Sequence, residues 1–194
     1  MSKTMTRTLE KYEKAEFGFW LYLMTDIILF ASLFATYMIL RNNIAGGDSA
    51  SELFDPRFAL AETIILLLSS FTCGLAVLLC RFKYTAAGLA MLATTLVLGF
   101  CFIGLELYEF THLVNEGQSW QTSAFLSAFF VLVGTHGLHI TMGLVWGLTM
   151  VLYVLKQGVT ANSLRKLTLF SLFWHFLDLV WIFIFTIVYL GALL

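Results

Sequence analysis

Five apolar runs, each long enough to cross a lipid bilayer, leave this 194-residue chain almost no sequence from which to build anything else. A spanning helix needs about 20 predominantly apolar residues, because the hydrocarbon core offers the backbone no water to bond. We read the spans as Phe17–Leu40, Phe58–Cys80, Thr85–Leu107, Ser123–Leu155 and Leu167–Leu194. Charged residues make up only 12% of the chain, against roughly 25% in soluble domains. The expected fold is an all-α membrane protein. It comprises a polar N-terminal tail, residues 1–16, and one five-helix transmembrane bundle, residues 17–194.

The first run is too long for a signal peptide's apolar region of about 7–15 residues, and no A-x-A-like cleavage site follows it. It stays as a helix. Orientation follows from the basic residues. Lys3, Arg7, Lys11 and Lys14 precede span one, Arg81 and Lys83 follow span two, and Lys156, Arg165 and Lys166 follow span four. The opposite side holds only Arg41 and Arg57. The N-terminus is therefore expected in the cytoplasm and the C-terminus outside.

The connections carry turn chemistry. "RNNIAGGDSASELFDPR" reads as a loop, and its Asp55-Pro56 pair is a good helix start, since aspartate accepts free amide protons and proline suits the first helical position. "RFKY" is tight enough to make spans two and three an antiparallel hairpin. "FTHLVNEGQSWQTS" reads as an outer loop containing His112, with a turn at Glu116-Gly117 and N-caps available at Thr122 and Ser123. Gly158 stands where a helix C-cap is expected. Cys73, Cys80 and Cys101 lie within apolar runs and read as small buried hydrophobes.

Ionisable groups inside a span are costly and normally face protein, water or one another. Glu62, Glu106 and Glu109 lie near the outer ends of spans two and three. Their plainest reading is as interfacial carboxylates reaching water or capping amides. Asp26 and Asp178 lie deeper, about 14–17 Å in from the cytoplasmic side by helical rise, and need hydrogen-bond partners or a retained proton. In "FWHFLDLVW", 173–181, His175 stands one turn from Asp178, so a local pair is sterically easy, and Trp174 and Trp181 bracket an expected aromatic-lined polar cleft. In "GTHGLHITMG", 134–143, His136 and His139 project on neighbouring faces, and Gly134, Gly137 and Gly143 allow close helix approach. H-x-x-H alone fits half a metal site, but with four histidines in the chain helix-packing imidazoles are the better reading. No serine or threonine has an adjacent base and acid, so nucleophilic catalysis has no candidate. No phosphate loop and no basic patch beyond the inner-side residues argues for nucleotides or nucleic acids.

Taken together, "GFWLYLMTDIILFASLF", "YEF", "FVLVGTHGLHITMGL" and "FWHFLDLVWIFIFTIVYL" resemble subunit III of the haem-copper terminal oxidases, from Phe17 to the C-terminus. The combination of H-G-L-H with W-H-F-x-D-x-V-W carries the likeness. The resemblance implies a chain with no redox centre of its own, catalytic residues or metal ligands. Its haems and copper would reside in subunit I. It would pack mainly on subunit I, with subunit II and a small subunit IV in the complex. It would also bind phospholipid and support proton uptake in an aerobic respiratory chain of a bacterial cytoplasmic (inner) membrane, with its C-terminus in the periplasm.

With 16 residues before its first span, the chain resembles the five-helix form rather than the seven-helix one. Asp26 stands where the cytochrome c branch usually has a reactive glutamate. With "FALAETIILLLSS" and "SAFFVLVGTHGLH", that aspartate looks most like the ubiquinol-oxidising cytochrome o branch. The site residues then implied for buried polar, lipid-cleft or proton-uptake roles are Asp26, Glu62, Glu106, His136, His139, Trp174, His175, Asp178 and Trp181. Alternatives are subunit III of a cytochrome c oxidase, a small transporter or proton channel, and a haem or metal enzyme in its own right. Five spans without internal proline or visible repeat fit the transporter poorly.

Overall fold

The computed structural model describes residues 3–44, 53 and 55–193. Most of the loop expected between the first two spans, 45–52 and 54, lies outside the described residues. Five helices account for nearly all the rest: α1 (Lys3–Leu40), α2 (Pro56–Arg81), α3 (Thr85–Asn115), α4 (Ala124–Gln157) and α5 (Ala161–Ile184). The last continues as a π-helical turn, Phe185–Leu190, and a short 3-10 turn, Gly191–Leu193. Each of the five is long and apolar enough to cross a membrane.

Local signals set several boundaries. Asp55 caps α2 by accepting from the Arg57 amide at 2.9 Å, with Pro56 in the first turn. Ser123 caps α4 by accepting from the Leu126 amide at 3.1 Å. The α2–α3 hairpin closes with a Schellman pair, Tyr84 N to Leu79 O at 2.9 Å and Lys83 N to Cys80 O at 3.0 Å. Lys83 takes the left-handed position at φ 65°. An equivalent pair ends α3, where Gly117 at φ 82° fulfils the turn expected at Glu116-Gly117. Gly158, at φ 70°, ends α4.

Three boundaries differ from expectation. The sequence places the first helix at Phe17, whereas α1 begins at Lys3. Residues 3–16 are polar but rich in good helix formers, and extending an existing helix is far cheaper than nucleating one. Likewise α3 runs past Leu107 to Asn115, so His112 is helical and not in a loop. Its exposed ring lies 3.5 Å from Glu116 one turn on. Finally, α5 starts at Ala161 instead of Leu167, because Thr160 and Ser163 form a reciprocal capping box.

The helices close a four-membered ring. The α2–α3 hairpin is the most extensive contact, α3 packs on α4, α4 on α5, and α5 returns to α2. Helix α1 stands outside this ring and leans mainly on α4. Trp174 of α5 fills the centre, lodged between two glycines. A Cβ on Gly99 would meet its ring at 2.9 Å and one on Gly143 at 3.0 Å. Gly134 is an ordinary contact, 3.7 Å from Phe110. All three cysteines are free, and Cys101 is exposed on the bundle surface, not buried as expected.

Candidate functional site

Helices α2 and α5 run antiparallel, and two tryptophans lace them together. Trp174 Nε1 donates to Ser69 Oγ at 2.8 Å, and Trp181 Nε1 donates to Thr63 Oγ1 at 3.0 Å. Both indoles are sealed in the core. They do not line an open cleft as the sequence suggests: burying an indole requires a partner for its N–H, and that partner is a hydroxyl on α2.

At the end of the bundle where α2 begins and α3 ends, three carboxylates converge. Glu62 is 0%, Glu106 3% and Glu109 8% exposed, so none is the water-reaching interfacial group expected from its place near a span end. Distance along a helix does not show what the neighbouring helices cover, and here all three side chains point inward. Tyr189 Oη donates to Glu109 Oε2 at 2.7 Å. The Glu106 carboxylate lies directly against Gly137, where a Cβ would collide with it. Both oxygens of Glu62 and Oε2 of Glu106 have no hydrogen-bond partner among the described residues.

His136 is 0% exposed, and neither of its ring nitrogens has a hydrogen-bond partner among the described residues. Its ring lies 5.3 Å from that of Trp181, 5.9 Å from Phe102 and 6.4 Å from Phe30. Tyr189 completes this cluster and is not apparent in the sequence. The available signal is a tyrosine eight residues beyond Trp181 in an otherwise apolar run, whose inward face depends on the π-helical turn.

A second polar contact joins α1 to the ring. Asp26 Oδ1 lies 3.8 Å from His139 Nε2, and both residues are buried. The other His139 nitrogen, Nδ1, pairs with the Thr135 carbonyl at 2.7 Å. Phe30 packs over the same imidazole at 5.2 Å.

The His175–Asp178 pair suggested by spacing does not form as a hydrogen bond. His175 Nδ1 reaches back to the Ser171 carbonyl at 2.6 Å, as helical side chains leaning toward the N-terminus readily do. His175 is exposed on the surface of the chain beside Gly74, and so is not an interior group. Asp178 is buried, with Oδ1 unpartnered among the described residues. Asp26, His139 and Asp178 therefore do not come together: the first two meet between α1 and α4, while Asp178 of α5 lies beside Ser70 of α2.

At the opposite end lies an open cleft of about 600 Å³, walled by Val77, Leu164 and Leu169, with Arg81, Lys166 and Glu16 at its rim. Among the described residues, no three His, Cys, Asp or Glu side chains group as a metal ion would require.

Five membrane-length helices with carboxylates and imidazoles held between them define a multi-pass α-helical membrane protein. The family described as cytochrome c oxidase subunit III matches residues 4–192, and the chain belongs to that family. A chain of this family is a subunit of a terminal oxidase complex. The chain is 52% identical to the cytochrome bo(3) ubiquinol oxidase subunit 3 of Pseudomonas putida over 177 residues, covering 91% of this chain and 86% of that protein. It is 47% identical to the quinol oxidase subunit 3 of Bacillus subtilis over 176 residues, with 91% and 86% covered. The cytochrome c oxidase subunit 3 of Bacillus sp. PS3 is also 47% identical, over 174 residues, with 89% and 84% covered.

Proposed function

We propose that this chain is the accessory subunit III of a proton-pumping respiratory ubiquinol oxidase. The complex would oxidise quinol, reduce oxygen to water and sit in a bacterial cytoplasmic membrane. The observation that carries this reading is the 52% identity to a ubiquinol oxidase subunit 3 across 91% of the chain. The haems and copper belong to subunit I, against which this subunit packs, with subunit II and the small subunit IV completing the complex. The chain itself performs no redox step.

Its orientation places the N-terminus in the cytoplasm and the C-terminus in the periplasm, an assignment supported by nine of the eleven Lys and Arg residues falling on one side. Residues 1–16 form the cytoplasmic tail and 17–194 a single transmembrane domain. The apolar-walled cleft with Arg81 and Lys166 at its rim then opens toward the cytoplasm and supports the binding of a phospholipid. Asp26 with His139, and Asp178, serve packing and proton uptake into the complex.

Purifying the native complex through a tag on this chain tests the proposal. Copurification of a haem-bearing partner and oxygen consumption driven by ubiquinol are expected. A tagged chain recovered alone, or with a haem bound to the isolated subunit, would refute it. The likeness to a cytochrome c oxidase subunit 3 at 47% favours that as the second reading. Oxygen consumption driven by reduced cytochrome c but not by quinol would select it. For Asp178, substitution by leucine is expected to loosen assembly more than electron transfer. Normal copurification with immediate loss of oxygen consumption would give it a direct role instead.

A further inference from the structure

The three glutamates at the α2–α3 end present a charge problem that the fold itself does not solve. Glu62, Glu106 and Glu109 are enclosed within one electrostatic neighbourhood. Among the described residues no lysine or arginine forms an ion pair with any of them. An uncompensated buried carboxylate is expensive, and an ionised one can only accept hydrogen bonds. Among the described residues Tyr189 donates to the group, at Glu109. Both oxygens of Glu62 and one of Glu106 are left without a partner among the described residues.

His136 provides the independent observation. Fully enclosed, it has one donor and one acceptor nitrogen in its neutral form, and neither finds a partner among the described residues. Its ring rests on Phe102, one turn before Glu106 on α3, and on Trp181, which is bonded to Thr63 beside Glu62. Gly137, the next residue after His136, is where the Glu106 carboxylate lodges. The imidazole thus borders the same carboxylate cluster where α2, α3, α4 and α5 meet.

We propose that Glu62, Glu106, Glu109, His136 and Tyr189 form an internal proton-holding site in which at least one glutamate is kept as the neutral acid and its proton is shared among the carboxyl groups, directly or through bridging water. Each transfer moves one proton from a carboxylic O–H to a neighbouring water or carboxylate oxygen, with no change of oxidation state. Glu109, the least enclosed of the three, is the exchange point with the aqueous phase, and Tyr189 holds it in place. The other titratable groups facing this region are His139, next along α4, and Asp26 behind it on α1; from α1 the group that touches His136 is the apolar Phe30.

Infrared spectroscopy of the purified whole complex tests the site. The wild type is expected to show a protonated-carboxyl C=O band that shifts in deuterated water. The band should be lost in Glu62→Gln and in Glu106→Gln and retained in Glu116→Gln, whose carboxylate is exposed. Two independent variants keep the test open if one fails to assemble. A wild-type complex without such a band, or one whose band survives both glutamate substitutions, overturns the proposal. So does a stoichiometric divalent metal released from the wild type by a chelator and absent from Glu62→Gln, because the carboxylates would then be ionised around that cation.

Discussion

Trp181 Nε1 donates to Thr63 Oγ1 across 3.0 Å, joining residues 118 apart in sequence. With Trp174 and Ser69 at 2.8 Å it forms two rungs that fix the register of α5 against α2. In lipid, where helix association gains nothing from apolar burial itself, such hydrogen bonds and close packing supply specificity.

Removing one rung should therefore cost more than its hydrogen bond when the indole goes with it. Trp174→Phe is expected to destabilise by about 0.5–1.5 kcal/mol, the net worth of one hydrogen bond. Trp174→Ala should cost about 3–5 kcal/mol by opening a cavity. Denaturant titration of the detergent-solubilised complex, followed by loss of this subunit, measures both, and equal effects of the two substitutions would contradict the packing role.

The glycines beside Trp174 make a sharper contrast. Gly143→Ala and Gly99→Ala each place a methyl about 3 Å or less from the ring and should cost about 1–3 kcal/mol as overpacking. Gly104→Ala meets nothing within 4 Å and should be neutral or stabilising by up to about 1 kcal/mol through helix propensity. Thermal release of the subunit should rank the three in that order.

Glu109 and Tyr189 are expected to act as a unit. Tyr189→Phe and Glu109→Gln each disturb the 2.7 Å bond, and a hydrogen bond to a charged or protonated carboxyl group contributes about 1–3 kcal/mol. A double-mutant cycle on subunit retention should give a coupling clearly above measurement error. Additive single effects would mean the contact carries no energy.

At the α1 contact the two partners should respond unequally. Asp26→Asn keeps a polar group facing His139 and is expected to preserve docking of α1. His139→Leu removes the neighbour of a carboxylate that already has one oxygen unpartnered among the described residues, at a cost of about 1–3 kcal/mol. Hydrogen exchange along α1 in the assembled complex reads the difference, as faster exchange in His139→Leu alone.

What the sequence discloses follows the physics of each signal. Hydropathy marks where lipid begins, so all five spans are legible, but it does not mark where helical hydrogen bonding ends. That is why α1 reaches back to Lys3 and α3 onward to Asn115. Asp55-Pro56, Gly117 and Gly158 act through their own backbone preferences and can be read directly. Thr160-x-x-Ser163 is equally local; it goes unread because polar residues before Leu167 resemble a loop. The carboxylate cluster was beyond reach for another reason. Glu62 and Glu106 look interfacial along their own helices, and only the approach of α4 at Gly137 and of α5 at Tyr189 encloses them. His175 shows the reverse error, since an imidazole deep in a span can still face outward when Ser171 satisfies it locally.

The placement of α1 outside the ring has a consequence for how the chain is made. It is translated first among the five, yet the helix it chiefly leans on, α4, is translated fourth. For most of synthesis α1 must wait in the bilayer as a solitary rod, with its largely uncovered apolar flank already suited to acyl chains. The α2–α3 hairpin, whose halves meet as soon as both exist, is the natural seed around which the later helices gather.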